Sequence, residues 1–170
     1  SIFKPLVYAA ALNARGKNRP APITPDSMLL DEPKVFRFNN KDYEPGNYKD
    51  HYRDEVSLRQ ALATSLNVAT VSLAEEIGYA RVVELARKAG LNDEILATPA
   101  MALGSYETTP VEMAGAYTIF ANTGIYTKPR FINTVRSALG GPAAVKDDPE
   151  QRRALESRNG LLGAAREHQH

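Results

Sequence analysis

Ser57-Leu58-Arg59-Gln60-Ala61-Leu62-Ala63-Thr64-Ser65-Leu66-Asn67-Val68-Ala69 reads as two helices meeting at a tight corner. Ser57 and Gln60 have the spacing of a capping box, and Leu58, Ala61 and Leu62 follow at helical period. The first helix should end near Thr64. Asn67 can cap a second helix whose apolar face carries Val68, Val71, Ala74 and Ile77, with Gly78 suited to its left-handed C-terminal position. Ser65-Leu66-Asn67 then falls on the connection, where side chains can point outward into a cleft instead of into the core.

Working outward, a third helix is expected from about Tyr79 to Ala89, stopped by Gly90. Thr109-Pro110-Val111-Glu112 is the strongest helix start in the chain: a threonine cap, proline at the first helical position and glutamate placed to complete a capping box. That helix should end at Asn122, before Gly124. Toward the N-terminus, Leu6, Val7, Ala10, Ala11 and Leu12 leave a wide apolar face at helical spacing, with Pro5 near the start and the helix expected to begin at Ser1. Residues 15 to 25 are glycine- and proline-rich loop, and 27 to 30 read as a short strand. Residues 31 to 54 are polar, aromatic and turn-rich, and are expected to wrap the surface as an ordered loop. Residues 125 to 135 read as strand or extended chain with an edge or bend at Pro129. A short helix capped by Asp148 is expected in the tail. The pattern is mainly α with minor β.

Composition narrows the function. With 170 residues, 43% hydrophobic and 24% charged, there is material for one compact domain or most of one. Lysine plus arginine (21) nearly balances aspartate plus glutamate (20), and neither sign forms a block that could track a phosphate backbone, so nucleic acid is not an expected partner. The chain has no cysteine, hence no disulfide, thiolate nucleophile or thiolate metal site. Its longest apolar run, Leu6 to Leu12, is far below the roughly 18 residues of a membrane span. His51, His168 and His170 have no metal-ligand spacing and are expected at the surface. The tyrosines at 43, 48 and 52 could line a cleft, although such clusters more often serve packing.

Ser1 and Lys4 are three residues apart on one helical face, close enough for an amine to take a hydroxyl proton. From the chain's serines and lysines alone, about 0.4 such spacings arise by chance, so the pair is weak by itself. The alternative is a helix cap and a solvated lysine. Likewise Ser65 and Asn67, taken alone, read as a helix-terminal polar residue and a cap.

The order of motifs changes the weighing. Ser1-Ile2-Phe3-Lys4-Pro5 running into Leu6-Val7-Tyr8-Ala9-Ala10-Ala11-Leu12, then Tyr43-Glu44-Pro45-Gly46-Asn47-Tyr48, then Val56 to Ala69 with Ser65-Leu66-Asn67, then Thr109-Pro110-Val111-Glu112-Met113-Ala114-Gly115-Ala116-Tyr117 and Phe120-Ala121-Asn122, resembles the transpeptidase domain of class A penicillin-binding proteins. The matching stretches cover most of residues 1 to about 136. The resemblance implies part of the α/β serine β-lactamase/DD-transpeptidase fold: nucleophile helix plus helical subdomain, with the central sheet incomplete. It implies a peptidoglycan D,D-transpeptidase in which Ser1 is acylated by D-alanyl-D-alanine stem peptides or by β-lactams. Lys4 would be the base, Ser65 would relay a proton to the leaving group, and Asn67 would donate to the substrate amide while helping to hold Lys4. No metal or organic cofactor is needed for such acyl transfer. The implied location is the periplasmic or extracytoplasmic face of the bacterial inner membrane, with the parent protein membrane-anchored.

The resemblance has limits. The family's third motif, Lys-Thr-Gly, does not occur; Asn122-Thr123-Gly124 closes a helix and is no substitute. That strand would supply one of two oxyanion donors, and removing one such donor typically costs about 2.7–4 kcal/mol. The other donor would be the Ser1 amide, which in the sequence as given is expected as a free amine unless residues precede it. The N-terminus reads as a cut end, and the expected division is a partial transpeptidase domain over 1–140 with a divergent or truncated tail over 141–170. Ser157-Arg158-Asn159 repeats the Ser-x-Asn spacing outside the matching stretches. Two alternatives stand beside the enzyme: a non-catalytic remnant or binding module of the same family, and a helical interaction domain.

Overall fold

The computed structural model describes residues 1–14 and 22–132. Residues 1–129 form one compact unit. The boundary expected at 140/141, the helix capped by Asp148, Ser157-Arg158-Asn159, His168 and His170 all lie outside the described residues, as do 15–21 of the glycine- and proline-rich loop.

Among the described residues five α-helices carry the fold: α1 (Lys4–Asn13), α2 (Leu58–Ala63), α3 (Asn67–Ile77), α4 (Tyr79–Lys88) and α5 (Pro110–Ala121). The strands are short: β1 (Met28–Asp31), β2 (Phe36–Phe38), β3 (Lys41–Tyr43) and β4 (Asp54–Ser57). They make two antiparallel pairs, β1 with β4 and β2 with β3. The mainly helical expectation with minor strand therefore holds. No helix among the described residues is long and apolar enough to cross a membrane.

Helix α3 is the centre of the unit. Val68, Ala69, Thr70, Val71, Leu73 and Ala74 are all buried along it, so it is covered on more than one face. Against it pack α1, through Leu6, Val7, Ala10 and Ala11, the strand β1, and a 3-10 turn over Pro99–Leu103. The Tyr8 hydroxyl meets Thr70 Oγ1 at 3.2 Å within this contact, and Thr70 in turn donates to the Leu66 carbonyl at 2.6 Å. That hydrogen bonding lets two hydroxyls be buried between α1 and α3 without an unmet partner.

Several local expectations are met. Thr109 and Glu112 form the full reciprocal capping box. Ser57 Oγ accepts from the Gln60 N–H at 3.3 Å and so caps α2. The expected strand at 27–30 is β1.

Others differ. Helix α1 begins at Lys4, not Ser1; Phe3 is the entry residue, and the Leu6 N–H donates to its carbonyl at 3.0 Å. Residues 31–54 are not simply a surface loop. They contain the β2–β3 hairpin, turned by Asn39 and Asn40 at φ 50° and 59°, the paired left-handed conformations of a tight hairpin turn. Asn67 does not cap α3 with its side chain; it is the first helical residue, and Leu66 stands at the cap. Ile125 to Ile132 form no strand among the described residues. Tyr126 and Pro129 are instead fitted against glycines: a Cβ at Gly90 would come within 2.5 Å of the Tyr126 ring, and one at Gly115 within 2.9 Å of Pro129 Cδ.

Candidate active site

Ser65 sits where α2 stops. Its N–H donates to the Leu62 carbonyl and the Leu66 N–H to the Ala61 carbonyl, both at 3.0 Å, which is the pair of bonds of a Schellman motif. The residue at this position normally takes a left-handed conformation and is normally glycine. Ser65 adopts it at φ 56°. A side chain there costs roughly 1–2 kcal/mol, so the corner is locally strained. In exchange, its carbonyl and its hydroxyl both turn toward the same neighbour.

That neighbour is Lys4. Its amine donates to the Ser65 carbonyl at 2.6 Å, to Ser65 Oγ at 3.0 Å and to Asn67 Oδ1 at 2.7 Å, with the Leu66 carbonyl at 3.3 Å. The residue is 2% exposed. Removal from water disfavours the ammonium, and burial lowers the Lys4 pKa to about 8. A neutral amine keeps two N–H donors, which can hydrogen-bond to the carbonyl of Ser65 and the amide oxygen of Asn67. Its lone pair is then available to receive a proton.

Ser1 is exposed at the head of α1, and its Oγ accepts from the Phe3 N–H at 3.2 Å. The hydrogen bonds of Lys4 go to the 65–67 turn, so the resting hydroxyl is held by the backbone and not by the amine. Two further residues frame this turn of chain. Tyr117 of α5 donates its hydroxyl to the Ile2 carbonyl at 2.6 Å. Gly104, at φ 79°, backs the serine so closely that a Cβ there would stand 3.0 Å from Ser1 Oγ and 3.1 Å from Phe3 Cβ. Beside Ile2 an apolar groove of about 480 Å³ opens between Pro110, Met113, Ala114 and Tyr117.

The structure thus brings Lys4, Ser65 and Asn67 into direct contact, and places Ser1 three residues before Lys4, ahead of the start of α1 and bonded to the Phe3 N–H. Sequence reading did not find Gly104; the available signal was a glycine ending the apolar Met101-Ala102-Leu103 run before Ser105. Of the tyrosines, Tyr43 and Tyr52 pack against the core, while Tyr48 is 82% exposed. His51 is exposed. Among the described residues no cluster of His, Asp or Glu could hold a metal ion.

The chain matches a known family along nearly its whole length. The model of the penicillin-binding protein transpeptidase domain matches residues 1–159, and the chain belongs to that family. It is 36% identical over 135 residues to penicillin-binding protein 1A of Aquifex aeolicus, covering 79% of this chain and 18% of that protein. To penicillin-binding protein 2D of Bacillus subtilis it is 33% identical over 143 residues, 82% of this chain and 20% of the relative. Among solved structures, penicillin-binding protein 1A from Haemophilus influenzae superposes with a TM-score of 0.75 at 31% identity, over 85% of this chain and 21% of that one. An imipenem acyl-enzyme complex of penicillin-binding protein A from M. tuberculosis shares the fold, with a TM-score of 0.68 at 23% identity over 84% of this chain and 36% of that one. The chain spans about a fifth of the length of the curated relatives named here.

Proposed function

We propose that these residues are the acylating part of a peptidoglycan D,D-transpeptidase site. The observation that carries the reading is the Lys4 amine: buried, lowered in pKa, and gathered onto Ser65 and Asn67 from more than sixty residues away. A lysine with a merely structural role is seldom buried with no carboxylate partner, because the isolated ammonium is costly to desolvate.

In this reading neutral Lys4 takes the Ser1 hydroxyl proton as Oγ attacks the penultimate D-alanyl carbonyl of a stem peptide. The tetrahedral intermediate collapses with cleavage of the C–N bond to the terminal D-alanine, whose nitrogen receives the proton back from Lys4 through Ser65 Oγ. An amine on a neighbouring strand then displaces Ser1 and restores its proton. Asn67 donates through its amide to the substrate backbone. A β-lactam acylates the same oxygen, its ring C–N bond opening in place of the peptide bond. The reaction belongs on the extracytoplasmic face of the membrane, where stem peptides are found, and within a longer membrane-anchored protein.

The test is covalent labelling by a fluorescent penicillin, read on the 170-residue chain and on a chain extended to include a Lys-Thr-Gly strand. Label that vanishes in Ser1→Ala supports the proposal in whichever chain shows it. Label in the longer chain only would make the described residues one half of the site, and no serine-dependent label in either would overturn the reading.

A further inference from the structure

Asp31 and Asn47 are buried polar residues that the proposed reaction does not use, at 0% and 6% exposure. Burying a carboxylate is expensive unless its oxygens are satisfied. Asp31 Oδ1 accepts from Asn47 Nδ2 at 2.8 Å, and Oδ2 from the Arg53 N–H at 3.2 Å. Asn47 spends its whole amide. Nδ2 also donates to the His51 carbonyl at 3.1 Å, while Oδ1 accepts from the N–H groups of Asn67 at 2.8 Å and Val68 at 3.2 Å. Asn47 therefore does for α3 what the apolar cap residue Leu66 cannot: it satisfies the first free N–H groups of the helix from another segment.

The same segment also turns the Asn67 side chain. Asn67 Nδ2 donates to the Gly46 carbonyl at 2.7 Å, and this leaves Oδ1 facing the Lys4 amine at 2.7 Å. Reversing the Asn67 amide would put its NH₂ against the Lys4 donor and its oxygen against the Gly46 oxygen. Residues 46 and 47 thus hold both the backbone and the side chain of Asn67, and Asp31 holds Asn47 in the one orientation that serves the helix.

Resting on the transpeptidase reading for the role of Lys4, we propose that Asp31 and Asn47 are positioning residues for the Lys4 base, acting in the order Asp31, Asn47, Asn67, Lys4. The bland alternative is that the pair only fastens the loop after β3 to α3.

The test is the titration of Lys4 by NMR in the 170-residue chain carrying ¹³C-labelled lysine, with folding monitored in parallel. In Asn47→Ala the 65–67 corner loses its anchor and water reaches the amine, so the Lys4 midpoint should rise toward its ordinary value by about half a unit or more. The exchanged pair Asp31→Asn with Asn47→Asp keeps a helix-capping oxygen, the bond between the two side chains and the total charge, and gives up the donation to the His51 carbonyl. A carboxylate at the N-terminus of α3 offsets that loss, so the pair should fold, and it moves the carboxylate one step closer to the amine, again raising the midpoint. An unchanged Lys4 titration in the folded exchanged pair would overturn the proposal. So would loss of the fold in both variants, which would make the pair scaffold only. The titration needs no substrate, so its outcome is independent of whether penicillin labels Ser1.

Discussion

The Lys4 amine and the amide oxygen of Asn67 lie 2.7 Å apart, joined across the seam between α1 and α3 with no carboxylate paired to the amine among the described residues. The charge on that amine is therefore solvated by dipoles alone, which is why burial dominates its acid–base behaviour.

Stability should record this. Lys4 has a folded pKa of about 8 against 10.5 when solvated, so between those values the unfolded chain binds the extra proton. Stability is then lowest below pH 8 and rises as pH climbs through 8 toward 10.5. Tyr8 has the opposite sign: burial raises its phenol to about 12, so stability falls once pH passes 10 and the unfolded tyrosine ionises. Urea midpoints should climb from pH 8 to about 10 and then turn over. Lys4→Met should abolish the climb; a flat wild-type profile between 8 and 10 would contradict the buried amine.

Ser65 separates folding from chemistry. Its left-handed corner prefers glycine, so Ser65→Gly should be between neutral and about 1 kcal/mol more stable in chemical denaturation. Ser65→Ala keeps the strain and should fall about 1 kcal/mol below the glycine variant. Both lose the hydroxyl 3.0 Å from Lys4. Under the proposed function both should label poorly with penicillin, so the more stable variant would also be the less reactive one.

What was legible in the sequence was local. Thr109 and Glu112 are three residues apart and report their own cap; Ser65 and Asn67 share one corner, and its place between two helices follows from the period of their neighbours. What was not legible depends on contacts distant in the chain. Asn39-Asn40 is a hairpin signal in plain view, but it lies in a polar segment with only three residues on each flanking strand, too few for alternation to stand out. Asn47 caps a helix twenty residues away; its stretch, Tyr43 to Tyr48, carries the family resemblance, but nothing local to it tells that the side chain serves α3. The strand expected around 125 to 135 has the right residue types, but a strand needs a partner, and the described part is held by ring contacts on Gly90 and Gly115.

Tyr117 anchors the approach to the serine. Its hydroxyl donates to the Ile2 carbonyl, while its ring packs edge-on against Phe120 at a centroid distance of 5.4 Å. Tyr117→Phe keeps the ring and removes one hydrogen bond, so the loss in stability should be about 0.5–1.5 kcal/mol. A penicillin acylation rate that falls by more than this stability change implies would show that the bond orients Ser1 in addition to holding α1 to α5.

Gly104 provides the sharpest test of how Ser1 is held. Any side chain there meets two obstacles: a left-handed φ of 79°, and a Cβ position 3.0 Å from Ser1 Oγ. Gly78 tests a backbone cost without a clash, because it has φ 90° and ψ 124°, a conformation glycine adopts readily, and no atom within 4 Å of the added Cβ. Gly78→Ala should therefore cost backbone strain alone, on the order of 1–3 kcal/mol. Gly104→Ala should cost its own left-handed strain of roughly 1–2 kcal/mol, and the displaced serine oxygen should also lose its bond from the Phe3 N–H. If Ser1 is the acylated residue, only the Gly104 variant loses penicillin labelling when the two are compared at temperatures where both are folded. Equal labelling of the two would mean that Gly104 supports the chain and not the nucleophile.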